Sequence, residues 1–233
     1  MTAEYIKEQF EKAGIFLTDE KYQKFAVYCD FLLKYNQNVN LTAITDEKEV
    51  VSAHFIDSLL GRDLIKKGAK CADIGTGAGF PGVPLAIARD DVSFLLVDSL
   101  NKRLVFLDLL AQKIDLKNVK TLHGRSEDLA HDVKLRQSFD YVVSRAVARL
   151  NVLAELNLPF VKKGGEMLAW KGPAAEEELL EAQNALKTLG ANFEKKVVFS
   201  INENEHNILC IKQNGEISKK YPRQAGTPKK KPL

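Results

Sequence analysis

The apolar residues of this chain follow two rhythms, with the change close to residue 70. Tyr22, Phe25, Ala26, Cys29, Leu32 and Leu33 recur at three- and four-residue spacing behind Thr18, which predicts a capped amphipathic helix within a helical region over residues 4–60. The polar run Asn36-Gln37-Asn38-Val39-Asn40 predicts an interruption. A further helix should start at Asp46, with Glu49 in the capping-box position, and end near Leu60 ahead of Gly61.

From Lys70 onward short apolar runs alternate with helical patterns, the signature of parallel β-α-β units. Strands are expected near Cys71–Ile74, Val92–Asp98, Val119–His123, Phe139–Ser144, Glu166–Trp170, Phe193–Ile201 and His206–Ile211. Helices are expected near Pro81–Arg89, Lys102–Ile114, Leu150–Phe160 and Ala174–Leu189. The last has Pro173 at its entry, Glu176, Glu177 and Glu178 in its first turns and Gly190 beyond its end. A short Asn202–Glu205 turn predicts that the final two strands form a hairpin closing an otherwise parallel sheet. The fold class is therefore α/β and Rossmann-like, a seven-stranded, mostly parallel sheet with an N-terminal helical extension. This divides the chain into a helical segment at 1–61, a main domain at 62–216 and a tail at 217–233.

Composition adds three constraints. A chain of 233 residues suits one α/β domain with a helical addition. No stretch approaches the roughly 18 apolar residues of a membrane span, and the first residues lack a signal-peptide core, so a cytoplasmic protein without membrane contact is expected. Cys29, Cys71 and Cys210 lie far apart with no C-x-x-C pair, as expected of reduced, buried thiols. The net charge of +3 conceals an asymmetry: beyond Ile217 stand Lys219, Lys220, Arg223, Lys229, Lys230 and Lys231 with no acid, leaving residues 1–216 at −3. Such a tail suits contact with nucleic-acid phosphates, although composition alone equally describes a solvated terminus.

The chemistry centres on Ala72-Asp73-Ile74-Gly75-Thr76-Gly77-Ala78-Gly79-Phe80-Pro81-Gly82, which leads from a strand into a helix. Glycines here let the backbone turn tightly and approach a ligand. The run from Gly77 to Gly82 matches a dinucleotide fingerprint, and Asp98 stands 19 residues beyond Gly79, near the place of a ribose-binding acid, so a nicotinamide cofactor fits the pattern. Asp73 favours S-adenosylmethionine instead. It puts a carboxylate near where a pyrophosphate must lie, whereas that methyl donor has no phosphate and brings an ammonium and a sulfonium. Asp73, Gly75, Gly77, Gly79, Phe80 and Asp98 are the donor-binding candidates.

The segment after the fourth strand, Ser144-Arg145-Ala146-Val147-Ala148, lacks the Asn/Asp-Pro-Pro-aromatic tetrapeptide of exocyclic-amine methyltransferases. No cysteine falls on a loop after a mid-sheet strand, as pyrimidine C5 chemistry requires. A guanine N7 needs neither, because its in-plane lone pair carries no proton. Arg125, Arg145, Arg149 and Lys171 are expected near strand ends on the ligand side of the sheet, where phosphates and guanine O6 prefer such donors.

Several unusual strings recur together: Asn40-Leu41-Thr42, His54-Phe55-Ile56-Asp57-Ser58-Leu59, Asp73 to Pro84, Leu96 to Arg103, Ser144 to Ala148, Lys171-Gly172, Tyr221-Pro222-Arg223 and Lys231-Pro232-Leu233. With these the chain resembles, over nearly its whole length, the ribosomal RNA small subunit methyltransferase G family, also called glucose-inhibited division protein B. The resemblance implies a class I methyltransferase fold and S-adenosyl-L-methionine as cofactor. It also implies methylation of N7 of one guanine in 16S rRNA, with the small ribosomal subunit as partner; the sequence leaves the oligomeric state open, with a monomer favoured. It further implies that Gly75 and Phe80 contact the donor, that Asp98, Ser99 and Leu100 face its ribose and adenine, and that Ser126 and Glu127 lie on the adenine side. Arg145 would contact the donor or the target base, with Arg125 and Lys171 as basic companions in catalysis. His54 and Asp57, one helical turn apart, read either as a packing pair or as groups that orient RNA. His123, His131 and His206 show no ligand spacing, so no metal is expected.

Overall fold

The computed structural model describes residues 1–201 and 204–233. Seven strands form one sheet: β1 (Lys70–Ile74), β2 (Ser93–Asp98), β3 (Val119–His123), β4 (Phe139–Arg145), β5 (Val161–Lys171), β6 (Ala191–Ile201) and β7 (Asn204–Gln213). Their order is β3-β2-β1-β4-β5-β7-β6, with β7 antiparallel to both neighbours and the remaining pairs parallel. The predicted hairpin is therefore present. Of its expected turn, residues 202 and 203 lie outside the described residues, while Asn204 and Glu205 already pair in β7 opposite Ile201 and Ser200.

Each face of the sheet carries its own core. One buries Phe94, Leu96 and Val143 under the Gly82–Ala88 and Asn101–Lys113 helices and the N-terminal helices. The other buries Val142, Met167 and Leu209 against the Leu150–Asn157, Ala175–Glu181 and Gln183–Thr188 helices and the tail. Residues on alternating positions of one strand, such as Val142 and Val143, thus serve opposite layers.

The helix expected over Ala174–Leu189 is divided into Ala175–Glu181 and Gln183–Thr188, and three further elements differ from expectation. Helix α1 (Ala3–Lys12) is followed by α2 (Asp19–Val39), which starts on the predicted Thr18 cap but runs through the polar segment expected to interrupt it. Asn36 is buried there, and its side-chain oxygen accepts the N–H groups of Leu41 (2.6 Å) and Thr42 (3.0 Å), so a polar side chain closes the helix from within. The predicted Asp46 cap is in place, accepting from Lys48 and Glu49 N–H. Between the α-helical Glu47–Glu49 and Asp57–Leu59, however, the backbone widens into a π-helix over Val50–Ile56. Lastly, β5 starts at Val161, before the predicted Glu166, because its pairing with β4 shifts register between Phe139 and Tyr141.

The tail does not behave as a free arm. Ile217 and Tyr221 are buried, and Arg136 donates to the carbonyls of Ile217 (2.9 Å), Ser218 (3.1 Å) and Tyr221 (2.9 Å). Arg223, expected to meet RNA, instead clamps the carboxylate of the fully buried Glu155 through Nε (2.9 Å) and Nη2 (2.6 Å), and donates to the Lys231 carbonyl. Its charge is consumed inside the protein. Removing one member of such a pair strands the other, so we expect Arg223→Ala to cost about 2–3 kcal/mol in urea unfolding, somewhat below the range for fully buried pairs because the arginine is partly exposed. An unchanged midpoint would mean that the clamp is not formed in solution.

Candidate functional site

Open sheets of this kind place their ligand crevice beyond the strand ends, where strand order reverses. Here that point lies between β1 and β4. The glycine loop leaves β1 with Gly75, Gly77 and Gly79 at φ of 77°, 61° and 105°. A Cβ on Gly75 would lie 2.7 Å from Val147 Cγ2, and one on Gly79 2.7 Å from Tyr28 Oη, so neither position has room for a side chain.

Two carboxylates hold the loop. Asp73 is fully buried; its Oδ2 accepts from Thr76 Oγ1 and from Gly82 N–H, both at 2.8 Å, while Oδ1 has no partner among the described residues. Burial pushes its pKa up to about 7, against the two hydrogen bonds and the Arg145 charge that favour the ionised form. Asp98, at the end of β2, accepts from Gly77 N–H (3.0 Å), Leu100 N–H (2.8 Å) and Arg103 Nη1 (3.1 Å).

Above Asp98 lies a cleft of about 300 Å³. Of the expected donor residues, Gly75, Asp98, Ser99, Ser126 and Glu127 line it, as does Arg125. The others stand behind this wall. Asp73 and Gly79 lie beneath the loop, Gly77 and Leu100 reach the site through their N–H bonds to Asp98, and Phe80 is buried in an aromatic stack. Arg103 and Val147 also line the cleft and were not anticipated; Arg103 is an ion-pair partner one helical turn into the element that follows Asp98.

A second cavity, of about 750 Å³, opens on the far side of Ala146 and Val147, which border both spaces. Ala146 makes this partition possible by adopting φ of 56°, a conformation uncommon for alanine. Arg145, Lys171, Asp57, Trp170 and His206 line this cavity. The Arg145 guanidinium is committed to the N-terminal helical segment: Nη1 pairs with Asp57 and donates to the Ala53 carbonyl (3.1 Å), and Nη2 donates to His54 Nδ1 (3.0 Å). Since arginine can only donate, His54 Nδ1 is the acceptor and the ring proton sits on Nε2, 2.8 Å from Thr42 Oγ1. Burial, with the Arg145 charge beside it, pushes the His54 pKa down to about 3. Its ring stacks on Phe80 at 4.3 Å, and Tyr28 stacks on Phe80 at 5.5 Å while donating to the Ala78 carbonyl (2.6 Å). The helical extension thus grips the glycine loop.

The four basic residues expected to converge do so only in part. Arg145 and Lys171 share the second cavity, and Lys171 is tied to Glu178 and the Ala148 carbonyl, both at 2.7 Å. Arg149 at its rim pairs with Glu177 (2.7 Å) and Glu181 (2.8 Å). Arg125 stands apart, exposed at the first cleft and without an ion-pair partner among the described residues.

A family profile described as rRNA small subunit methyltransferase G matches residues 21–209. The chain belongs to that family. A ribosomal RNA small subunit methyltransferase G from Clostridium beijerinckii is 45% identical over 227 residues, covering 96% of this chain and 95% of its own, and one from Leuconostoc citreum is 44% identical with both chains fully covered. Among solved structures, M. jannaschii TYW2 in complex with AdoMet superposes with a TM-score of 0.53 at 15% identity, covering 67% of this chain and 76% of its own. An Aquifex aeolicus SAM-dependent methyltransferase gives 0.52 at 18% identity, covering 71% and 93%. This member of the methyltransferase G family is an enzyme that uses S-adenosylmethionine, which sets the nicotinamide alternative aside. The first cleft fits that cofactor: a carboxylate closes its floor at the β2 end, and Gly75 lines it with bare backbone at a position where a Cβ would collide with Val147.

Two outcomes follow. Asp98→Ala should weaken binding of S-adenosylhomocysteine by roughly 1.5–3 kcal/mol, the scale of a lost charge-assisted hydrogen bond; calorimetry showing unchanged affinity would remove Asp98 from the donor site. His54 stays neutral in the folded protein while an unfolded imidazole takes a proton near 6.5, so its contribution is fully present above that pH and is lost as pH falls toward 3. In His54→Gln, the loss of stability on going from about pH 7.5 to about pH 5.5 should shrink by about 1 kcal/mol. An undiminished loss would show that His54 titrates normally in the fold.

Proposed function

We propose that this chain methylates N7 of a guanine in the 16S rRNA of the small ribosomal subunit, with the acceptor base entering the second cavity. The observation that carries this reading is the shared border: Ala146 and Val147 line both the donor cleft and the cavity that holds Arg145. When bound, S-adenosylmethionine supplies a methyl group made electrophilic by its sulfonium. The N7 lone pair would take that methyl directly, and because N7 bears no proton the chain needs no residue to remove one.

The residues then act by placement rather than by titration. Asp98, Ser99, Ser126 and Glu127 hold the adenosine side of the donor, with Asp73, Gly77, Gly79, Phe80 and Leu100 shaping that wall and Gly75 giving it close approach. Arg145, oriented by Asp57 and His54, offers its remaining N–H groups, on Nε and Nη2, to guanine O6 or to the donor carboxylate. Lys171 fixes the Ala148 end of the partition and Arg125 meets a phosphate. Lys219, Lys220, Lys229, Lys230 and Lys231 are exposed and serve the RNA backbone, a role that Arg223 leaves to them. The helical segment 1–61, the sheet domain 62–216 and the tail 217–233 work as grip, catalyst and RNA contact in a cytoplasmic monomer.

A second reading has one observation in its favour. His206 Nδ1 lies 2.8 Å from Asp57 Oδ1, an arrangement that in other enzymes prepares a base for an acceptor that must lose a proton. Mass mapping of 16S RNA from cells with and without the gene tests the main reading: loss of a methyl group from one guanine supports it, and an unchanged map overturns it. Kinetics separate the two readings. Single-turnover transfer at saturating donor and RNA should vary little between about pH 6.5 and 8.5, because no base is used. Arg145→Lys should still be slowed, since an ammonium lacks the planar fork. A rise approaching tenfold per pH unit would mean that a proton is removed before or during transfer and would assign an amine or hydroxyl as acceptor.

A further inference from the structure

A third cavity, of about 430 Å³, lies where the tail folds back over the Leu150–Asn157 helix. Val152, Leu156, Pro228 and Pro232 give it apolar walls. It borders both spaces already described. Arg125, Glu127, Val147 and Leu156 also line the donor cleft, and Val147, Ala148 and Arg149 also line the second cavity.

Its charges are arranged unequally. Glu127 is the one carboxylate among its lining residues, and both of its oxygens are engaged, by Gly226 N–H at 3.1 Å and Ser126 Oγ at 3.3 Å. Arg149 is turned to Glu177 and Glu181. Arg125 and Lys229 are exposed and have no ion-pair partner among the described residues. Asn151 uses its side-chain oxygen to accept Val152 N–H (2.8 Å), which leaves its amide N–H groups available.

An apolar slot flanked by two uncompensated cations and an amide donor matches a nucleotide lifted from a single-stranded loop: base against the apolar walls, base edge on the amide, phosphodiester on the cations. We propose that this cavity is a subsite for a nucleotide flanking the target guanine, so that the enzyme reads its RNA at a neighbour as well as at the methylated base. The proposal rests on the rRNA-methylation reading above. It also gives the tail a second task, because Gly226, Pro228, Lys229 and Pro232 form one wall of the subsite.

The test fills the slot without touching the donor site. Methylation of 16S RNA at saturating donor is compared for the wild type, Val152→Phe and Asn151→Trp, with S-adenosylhomocysteine affinity measured by calorimetry in parallel. Asn151 is only partly buried, so its variant folds even if the tighter Val152 position does not accept phenylalanine. Excluding one base from the apolar slot corresponds to a rise in KM for RNA of roughly fivefold or more, with donor affinity unchanged and kcat close to wild type. Lys229→Glu should raise KM in the same direction and Lys229→Arg should not. A wild-type KM in the filled variants, or a loss of donor affinity matching the loss for RNA, overturns the subsite alone. A wild-type enzyme that leaves 16S RNA unmethylated overturns both the subsite and the reading beneath it.

Discussion

The site depends on one buried ion pair between elements far apart in sequence. Asp57 ends the π-helical stretch of the N-terminal extension; its carboxylate holds Arg145 at the end of β4 and His206 in β7, and its carbonyl accepts Trp170 Nε1 of β5 at 2.9 Å. Three strand ends are therefore registered on a single residue that belongs to none of them. A pair of this kind contributes little net stability, because removing two charges from water costs about as much as their attraction returns. Its effect is orientational. It sets the plane of a guanidinium that would otherwise sample many rotamers, and it joins the helical extension to the catalytic edge of the sheet.

The same neighbourhood holds two groups with opposite responses to protons. Asp73 keeps its proton to about pH 7 where an ordinary aspartate releases it near 3.8, and His54 refuses one to about pH 3 where an ordinary imidazole accepts it near 6.5. Between those ordinary values the folded protein gains one proton at Asp73 and forgoes one at His54. The two contributions to the pH dependence of stability have opposite sign there and largely cancel. Burial beneath one loop therefore perturbs both groups while leaving the loop steady through mild acidification.

Local patterns in the sequence were enough to find the sheet. Apolar runs such as Leu95-Leu96-Val97 mark strands, and Gly75, Gly77 and Gly79 mark the turn, because both signals span only a few residues. What escaped was set by distant partners. His54 and Asp57 could be seen as neighbours on a helix but not as the seat of Arg145, about ninety residues away, and nothing local announces a π-helix at Val50–Ile56. Arg223 looked like another tail cation because its partner is remote. The available hint was Glu155, a lone acid within the otherwise apolar and neutral run from Leu150 to Phe160. The register shift in β4 and β5 was hidden for a related reason: Lys162-Lys163-Gly164-Gly165 lies as an irregularity between two positions, Val161 and Glu166, that pair with β4 on either side of it.

The segment from Ala146 to Arg149 is a partition barely one chain thick between three chambers, with Val147 facing all of them. A wall that thin has no interior of its own in which to absorb a displacement. Val147 belongs to the lining of all three spaces at once, so a substitution there reshapes each of them together and none of them alone.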